Sequence, residues 1–171
     1  DKSFTTVFAN GVLEHIPDLD KALAEISRIM KPQGTLITTS PSANFTKLLF
    51  YFRLFSYLKL NAVATWYGKK LNSAFYHCHL LSEKVWQNKL SLAGLKIIKC
   101  IPYNSREIIA IHDLSLPFSI GSKQWKFLTG SLVLLPNFRK YFIKLLYPLI
   151  INLTRSKSST APYGSILIQA V

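Results

Sequence analysis

The chain has 171 residues, of which 49% are hydrophobic and 17% are charged. This composition excludes an intrinsically disordered chain and fits one domain of ordinary size. The formal charge of +13 is unevenly spread: residues 1–40 hold four basic and five acidic residues, whereas residues 41–171 hold seventeen basic and three acidic ones. We therefore expect the second part to meet an anionic partner, for which the candidates are a phosphate-bearing substrate, a membrane surface and nucleic acid.

A strand, a helix and a second strand are predicted in the first forty residues. The run from Phe4 to Asn10 is short, β-branched and aromatic, and Gly11 ends it. A helix begins after Asp18, which can cap it. Lys31-Pro32-Gln33-Gly34 is predicted to end the helix as a turn before the strand Thr35 to Ser40. This order predicts a βαβ unit with a parallel sheet.

A second helix and two further strands are predicted later in the chain. Ser82 can cap a helix that runs to Ala93, and Gly94 supplies a left-handed residue at its end. The runs from Leu95 to Tyr103 and from Ser165 to Val171 are typical of strands.

Two apolar stretches belong to neither unit, and we place helical insertions there, at about 44–76 and 114–154. Asn44 to Leu60 is long enough for one helix and rich in Phe, Tyr and Leu, whereas Leu114 to Leu153 carries basic residues and three prolines. Neither holds the roughly 18 uninterrupted apolar residues that a membrane span needs. These helices are expected either to cover the sheet as a lid or core helix, or to rest on a lipid surface with their basic residues toward the headgroups.

The motifs of the first forty residues follow one another in an order typical of a known family. After the first strand come Val12-Leu13-Glu14-His15, the helix from Asp18, the Lys31-Pro32-Gln33-Gly34 turn and the next strand. In this the segment resembles class I S-adenosylmethionine-dependent methyltransferases, and within them the ubiquinone/menaquinone-biosynthesis group. The stretch 79–100 is similar to the family's serine-capped helix and sixth strand, and 165–171 to its antiparallel last strand.

The resemblance implies an α/β, partial Rossmann-like methyltransferase fold that holds the family's strands four to seven. The family's Gly-rich loop and its ribose-binding acid follow earlier strands, and none of the seven glycines here forms such a cluster. The chain also opens on Asp1 rather than Met. We therefore expect residues 1–171 to be a single incomplete domain, the C-terminal part of a longer enzyme, which alone should not bind S-adenosylmethionine.

The resemblance also assigns candidate site residues. Asn10 and Gly11 are expected to contact the methionine part of the cofactor, with Leu13 as a wall residue of its site. The alternative is that Asn10 and Gly11 form an ordinary turn between a strand and a loop, with no role in binding. His15 is the candidate catalytic residue, because an imidazole suits proton removal from an oxygen or nitrogen acceptor. Its alternative role is to fix the loop by hydrogen bonding. His77 and His79 are expected near the acceptor side as substrate contacts.

A metal site and a disulfide framework are not predicted. Beside His77, Cys78 and His79, only Cys100 and His112 remain as partners to which no other role is assigned, and their spacing is irregular for a zinc site. Two cysteines cannot form a disulfide framework, which makes a reducing cytoplasm the default location.

The leading functional hypothesis is S-adenosylmethionine-dependent methyl transfer to a small or lipid-linked acceptor, in the cytoplasm and peripherally at the inner membrane face. The competing hypothesis is a non-catalytic remnant that acts as a binding or peripheral-membrane module. Nucleic acid is not expected as a partner, because the basic residues alternate with long aliphatic ones and no RNA-binding signature is present. The acceptor, the methylated atom and the oligomeric state stay open.

Overall fold

The computed structural model describes residues 1–116, 144, 147, 148, 151 and 162–171. Its strands are β1 (Phe4–Asn10), β2 (Met30–Pro41), β3 (Ile97–Tyr103) and β4 (Ser165–Ala170). Its helices are α1 (Leu19–Ile29), α2 (Phe45–Leu48), α3 (Phe50–Tyr57), α4 (Asn61–Ala74) and α5 (Glu83–Leu92). A 3-10 turn covers Leu13–His15, and residues 106–116 are helical as well.

The four described strands form one sheet in the order β1-β2-β4-β3. β1 pairs with β2 in parallel, whereas β4 runs antiparallel to both β2 and β3. Three strands therefore share one direction, and the last strand of the chain is inserted between two of them. The α/β fold class, the parallel βαβ unit and the antiparallel last strand are confirmed.

The predicted helix caps are also confirmed. Asp18 accepts a hydrogen bond from the backbone N–H of Lys21 at 3.1 Å, and Ser82 accepts one from Val85 at 3.4 Å. Each bond satisfies a backbone donor that the first turn of a helix leaves free. Gly94 follows α5 with a φ of 79°, the left-handed conformation that glycine adopts without a steric penalty.

The prediction of a turn at Lys31–Gly34 is wrong, because these residues belong to β2. β2 already pairs at Met30, opposite Phe4, but its next pairing joins Thr35 to Thr6. The extra residues of β2 form a bulge between these two pairs. The bulge bends the strand locally, where a separate turn was predicted. Gln33 lies at the bulge with a φ of 63°, a conformation that costs a residue other than glycine about 1–2 kcal/mol.

The prediction of one helix from Asn44 to Leu60 is also wrong. The chain breaks at Leu49, whose backbone is extended with a ψ of 139° and whose side chain is fully buried. Burial of this leucine holds the break between α2 and α3. α2, α3 and α4 all fall within the predicted insertion 44–76, whereas most of the predicted insertion 114–154 lies outside the described residues.

The main core lies on one face of the sheet, beneath α1 and α5. It joins buried side chains of both helices to those of the strands, with Trp86 wholly buried at its centre: Ala9, Leu13, Leu19, Leu23, Met30, Leu36, Trp86, Leu90, Leu95, Ile166, Ile168 and Ala170. Phe4 and Phe8 lie on the opposite face of β1 and are exposed to 54% and 66%. Among the described strands, only β2 pairs with β1, so the second edge of β1 is open.

A second core joins α2, α3 and α4 to residues 106–116. Its centre is Asp113, which is fully buried. The Asp113 carboxylate accepts a hydrogen bond from the backbone N–H of Tyr51 at 2.9 Å and another from the Tyr67 hydroxyl. Burial and the adjacent Asp113 carboxylate both raise the pKa of Tyr67, which keeps its hydroxyl as a donor. None of the helices in the described ranges is long and apolar enough to cross a membrane.

Candidate functional site

The ends of β1 and β2 meet at the edge of the sheet where parallel α/β folds bind their ligands. The Thr39 hydroxyl donates to the side-chain oxygen of Asn10 at 2.5 Å, and the backbone N–H of Gly11 donates to Thr39 at 3.1 Å (Oγ1) and 3.2 Å (carbonyl oxygen). Of the two polar atoms of the Asn10 side-chain amide, only the oxygen takes part in these hydrogen bonds. Asn10 is exposed at this edge, and no hydrogen bond found in the described part of the chain uses its amide N–H donors.

Gly11 turns the chain from β1 into the 3-10 turn. Its φ of 61° is a left-handed conformation that strains other residues, and a Cβ added to it would lie 3.5 Å from Oε1 of Glu14. The conformation of Gly11, rather than the space around it, therefore favours glycine where the chain turns from β1 into Leu13–His15.

Residues 76–79, which are distant in sequence, form hydrogen bonds with this 3-10 turn and the residues that follow it. The backbone N–H groups of Cys78 and His79 donate to the carbonyl oxygen of Glu14 at 2.8 and 3.1 Å. Nε2 of His79 lies 3.0 Å from the carbonyl oxygen of Ile16 and 3.2 Å from that of Pro17. His79 is thus committed through this nitrogen to holding the backbone after the turn.

His15 is held in the tautomer that a general base needs. Its Nδ1 lies 3.0 Å from the carbonyl oxygen of Tyr76. A carbonyl oxygen can only accept, so Nδ1 carries the proton and Nε2 of the neutral ring keeps its lone pair. The side chain is 40% exposed, which leaves this nitrogen within reach of a substrate.

His77 supports the His15 ring. The two rings stack with centroids 5.6 Å apart and planes inclined by 22°, and Nδ1 of His77 lies 3.3 Å from Oδ1 of Asn72. Burial, and to a smaller degree the charge of His15, lowers the pKa of His77. The stacked His77 ring therefore favours its neutral form beside His15.

Glu14 is a site residue that the sequence analysis passed over, although the motif that carries His15 contains it. The residue is 3% exposed, with Oε1 3.9 Å from Nε2 of His15 and Oε2 without a hydrogen-bond partner among the described residues. Burial raises the pKa of the Glu14 carboxyl, and its own backbone N–H and the charge of His15 oppose the shift only in part. The site thus pairs an exposed imidazole with a buried carboxyl whose pKa is raised by burial.

The remaining predicted residues are placed as follows. Leu13 is 2% exposed and its side chain packs in the main core, so its role as a wall of the cofactor site stays a prediction. His77 lies against His15, whereas His79 holds backbone carbonyl groups; contact of either with a substrate stays a prediction. Within the described residues, no three His, Cys, Asp or Glu side chains come together as they would around a metal ion.

We expect Glu14→Gln to change the pH dependence of stability. Because the folded-state pKa lies above the ordinary 4.5, the folded protein binds the proton more tightly than the unfolded chain. The contribution of Glu14 to stability is therefore present below pH 4.5 and is lost as the pH rises through the folded pKa. Urea unfolding should show the glutamine variant to be more stable than the wild type by on the order of 1 kcal/mol near pH 7, with no gain near pH 4.

The control is Glu25→Gln, which neutralises an exposed carboxylate paired with Arg28 on α1. This variant should show no gain at neutral pH. An equal gain at both pH values in Glu14→Gln would contradict the buried, proton-favouring carboxyl.

The part of the chain that matches a known protein family contains most of this site. Residues 1–38 match the model of a methyltransferase domain family. The matched segment includes β1, α1 and most of β2, and with them Asn10, Gly11, Leu13 and His15. No curated protein sequence matches the chain at a significant level.

Solved structures extend the likeness from this segment to the whole chain. A candidate sarcosine dimethylglycine methyltransferase from Galdieria sulphuraria matches with a TM-score of 0.54 at 13% identity, over 99% of this chain and 53% of its own. The fold is that of the class I methyltransferases. The [4+2]-cyclase SpnF matches with a TM-score of 0.51 at 15% identity, over 99% of this chain and 50% of its own. A Haloferax volcanii protein crystallised with the Trm112 methyltransferase activator matches with a TM-score of 0.51 at 15% identity, over 100% and 55%.

These comparisons confirm the resemblance predicted from the sequence at the level of class I methyltransferases. The narrower likeness to the ubiquinone/menaquinone-biosynthesis group stays a prediction. The chain spans about half the length of the structures it matches. The family match supports S-adenosylmethionine as the cofactor. Contact of the exposed Asn10 amide and the left-handed Gly11 with its methionine end stays a prediction.

Proposed function

We propose that this chain is the C-terminal part of a longer S-adenosylmethionine-dependent methyltransferase that methylates a small or lipid-linked acceptor. The observation that carries the proposal is the arrangement at the end of β1. There the Asn10–Gly11 pair, fixed by Thr39, lies directly before a turn that presents the free Nε2 of His15. One part of this site suits a polar cofactor end, and the other suits removal of a proton.

The open side of the sheet supports a longer enzyme. The second edge of β1 carries no strand in the described part of the chain, and Phe4 and Phe8 are exposed on the uncovered face of that strand. Parallel strands are normally buried on both faces, with neighbours on each side. Further strands and helices of the same protein would bury these side chains and bring the missing Gly-rich loop and ribose-binding acid.

The chemistry proposed for the site divides between binding and proton removal. S-adenosylmethionine, when bound, supplies a methyl group on a positively charged sulfur. Asn10 and Gly11 would bind and orient the methionine end, so that the acceptor meets the methyl group in line. Nε2 of His15 would take the proton that an oxygen or nitrogen acceptor releases, and the Nδ1 bond to Tyr76 would hold the ring in place during the transfer.

The fold alone does not fix this activity, since one structural neighbour is described as a [4+2]-cyclase. The His15 imidazole favours methyl transfer to an ionisable acceptor atom. For the location, we propose the cytoplasm with peripheral attachment at the inner membrane face, because the basic residues of 41–171 attract anionic headgroups.

Asn10→Asp tests the cofactor role in the longer protein. The substitution keeps the oxygen that accepts from Thr39, so the local fold should persist. It replaces the free N–H donors with a negative charge that faces the carboxylate of the cofactor. Calorimetry should show S-adenosylmethionine binding weakened about tenfold or more.

Asn88→Asp is the matched control, because it makes the same change at an exposed position on α5. It should leave the dissociation constant unchanged. Equal affinity in Asn10→Asp and wild type would remove Asn10 from the cofactor site. A longer protein that binds no S-adenosylmethionine at all would instead favour the non-catalytic remnant.

A further inference from the structure

An apolar surface projects from the protein at the turn between α3 and α4. We call it the hairpin tip, and its five side chains are all exposed: Tyr57, Leu58, Leu60, Val63 and Trp66. The exposed fractions reach 85% for Tyr57 and 59% for Trp66. Isolated exposed apolar residues are common, but five within ten positions around one turn form a surface that normally meets a partner.

The charges around the hairpin tip are all positive. From residue 41 to residue 82 the sequence has five basic residues and no acid. Lys59 lies in the turn itself, and Lys69 and Lys70 follow Trp66 on α4. With a rise of 1.5 Å per residue, Lys70 lies about 6 Å above Trp66 along the helix axis. None of these lysines forms an ion pair with any residue in the described ranges.

The base of the hairpin is fixed to the rest of the protein. Asp113 binds the backbone of Tyr51 on α3 and the hydroxyl of Tyr67 on α4. α4 also packs closely on α2, since a Cβ on Gly68 would lie 2.5 Å from the Thr46 methyl carbon. Beyond its last residue, α4 leads through residue 75 to His77, which stacks on His15. The hairpin is therefore fixed at its base, with the candidate site at that end and the apolar tip at the other.

We propose that the hairpin tip docks on an anionic lipid surface. Trp and Tyr side chains favour the interface between headgroups and acyl chains, where Leu58, Leu60 and Val63 would also be buried. Lys59, Lys69 and Lys70 would then lie at the level of the lipid phosphates. Nucleic acid fits less well, because three of the five exposed side chains are aliphatic and only Tyr57 and Trp66 could stack on bases.

The proposal gives the peripheral membrane attachment proposed above a defined surface, and it rests on that attachment rather than on methyl transfer. The sequence analysis expected basic helices lying along the lipid. The structure instead exposes the turn of a hairpin, while Asp113 holds α3 and α4 at the base through Tyr51 and Tyr67. Failure of the membrane proposal can be distinguished from failure of the methyltransferase proposal, because vesicle binding is measured without cofactor and cofactor binding is measured without lipid.

The test is co-sedimentation of the full chain with vesicles of phosphatidylglycerol and phosphatidylcholine, against phosphatidylcholine alone, at low salt. The wild type should bind the anionic vesicles and be partly released by high salt. The variant Leu58→Ser/Leu60→Ser/Trp66→Ser should bind about tenfold more weakly or worse to both kinds of vesicle. The variant Lys59→Glu/Lys69→Glu/Lys70→Glu should lose about 100-fold on anionic vesicles, since each basic residue near such a surface contributes roughly fivefold.

The matched control is Lys31→Glu/Lys84→Glu/Lys96→Glu, which reverses three exposed lysines away from the hairpin and makes the same change in net charge. It should keep most of the binding. Because every substituted side chain is exposed, circular dichroism and urea unfolding should match the wild type for all three variants. Absence of binding to anionic vesicles overturns the proposal. So does wild-type binding by the apolar variant, and so does binding of nucleic acid through the tip lysines without binding of vesicles.

Discussion

Replacing His15 with alanine is expected to lower the turnover of the proposed longer methyltransferase about 10²–10⁴-fold, the range that a positioned general base contributes. The change removes Nε2, the nitrogen that the bond to Tyr76 leaves free to accept a proton. Affinity for S-adenosylmethionine should stay unchanged, because the proposed cofactor contacts are Asn10 and Gly11 and not His15. Transfer of a labelled methyl group gives the turnover, and calorimetry gives the affinity.

The matched variant is His15→Asn. The side-chain N–H of asparagine can occupy the place of Nδ1–H and keep the hydrogen bond to Tyr76, but it offers no base. If His15 acts as general base, both variants lose turnover to about the same extent. If His15 only fixes the loop, asparagine restores activity where alanine does not. The second outcome would assign His15 to loop positioning and contradict proton removal.

The parts of the fold that were predictable depend on local sequence. The caps at Asp18 and Ser82 and the glycine at 94 follow from chemistry within a few residues of each helix end. The β1–α1–β2 unit follows from short-range patterns of apolar residues. The antiparallel last strand came only from the family resemblance, because pairing between β2 and β4 joins residues more than 120 positions apart.

The errors arise where tertiary contacts override local preference. The sequence from Asn44 to Leu60 contains no signal for the break at Leu49, because leucine is a good helix former. Its extended backbone is explained only by its burial in the second core. The bulge at Gln33 is similar. A proline and a glycine within four residues favour a turn, but pairing with β1 draws the segment into the sheet.

In the candidate site, too, the residues within one local motif were predictable and the contacts between distant residues were not. Asn10, Gly11 and His15 belong to one continuous motif, so the sequence could indicate them together. The contact between His15 and His77 spans 62 positions and depends on residues 76–79 folding back over the 3-10 turn. Glu14 and Thr39 could have been found by one rule each: a carboxylate inside the recognised motif, and a polar residue where a neighbouring parallel strand ends.

Replacing Asp113 with leucine is expected to lower the free energy of unfolding by about 3–5 kcal/mol. The carboxylate accepts from the backbone of Tyr51 and the hydroxyl of Tyr67, and each hydrogen bond to a charged group contributes about 1.5–3 kcal/mol. Leucine fills the space but leaves both donors buried without partners. Asp113→Asn keeps an acceptor oxygen and should lose only about 1–2 kcal/mol. Urea unfolding followed by circular dichroism measures both changes.

The double variant Asp113→Leu/Tyr67→Phe decides whether the Asp113–Tyr67 contact has this energetic value. Removing both partners of a buried hydrogen bond costs less than removing one, because no orphaned polar group remains. The double variant should therefore regain about 1–2 kcal/mol relative to Asp113→Leu alone, although the Tyr51 N–H still lacks its acceptor. Additive losses in the two single variants would mean that the hydroxyl and the carboxylate do not depend on each other. In that case the hairpin would be fixed by its apolar contacts, such as Leu48, Leu71 and Ile109, and not by the buried carboxylate.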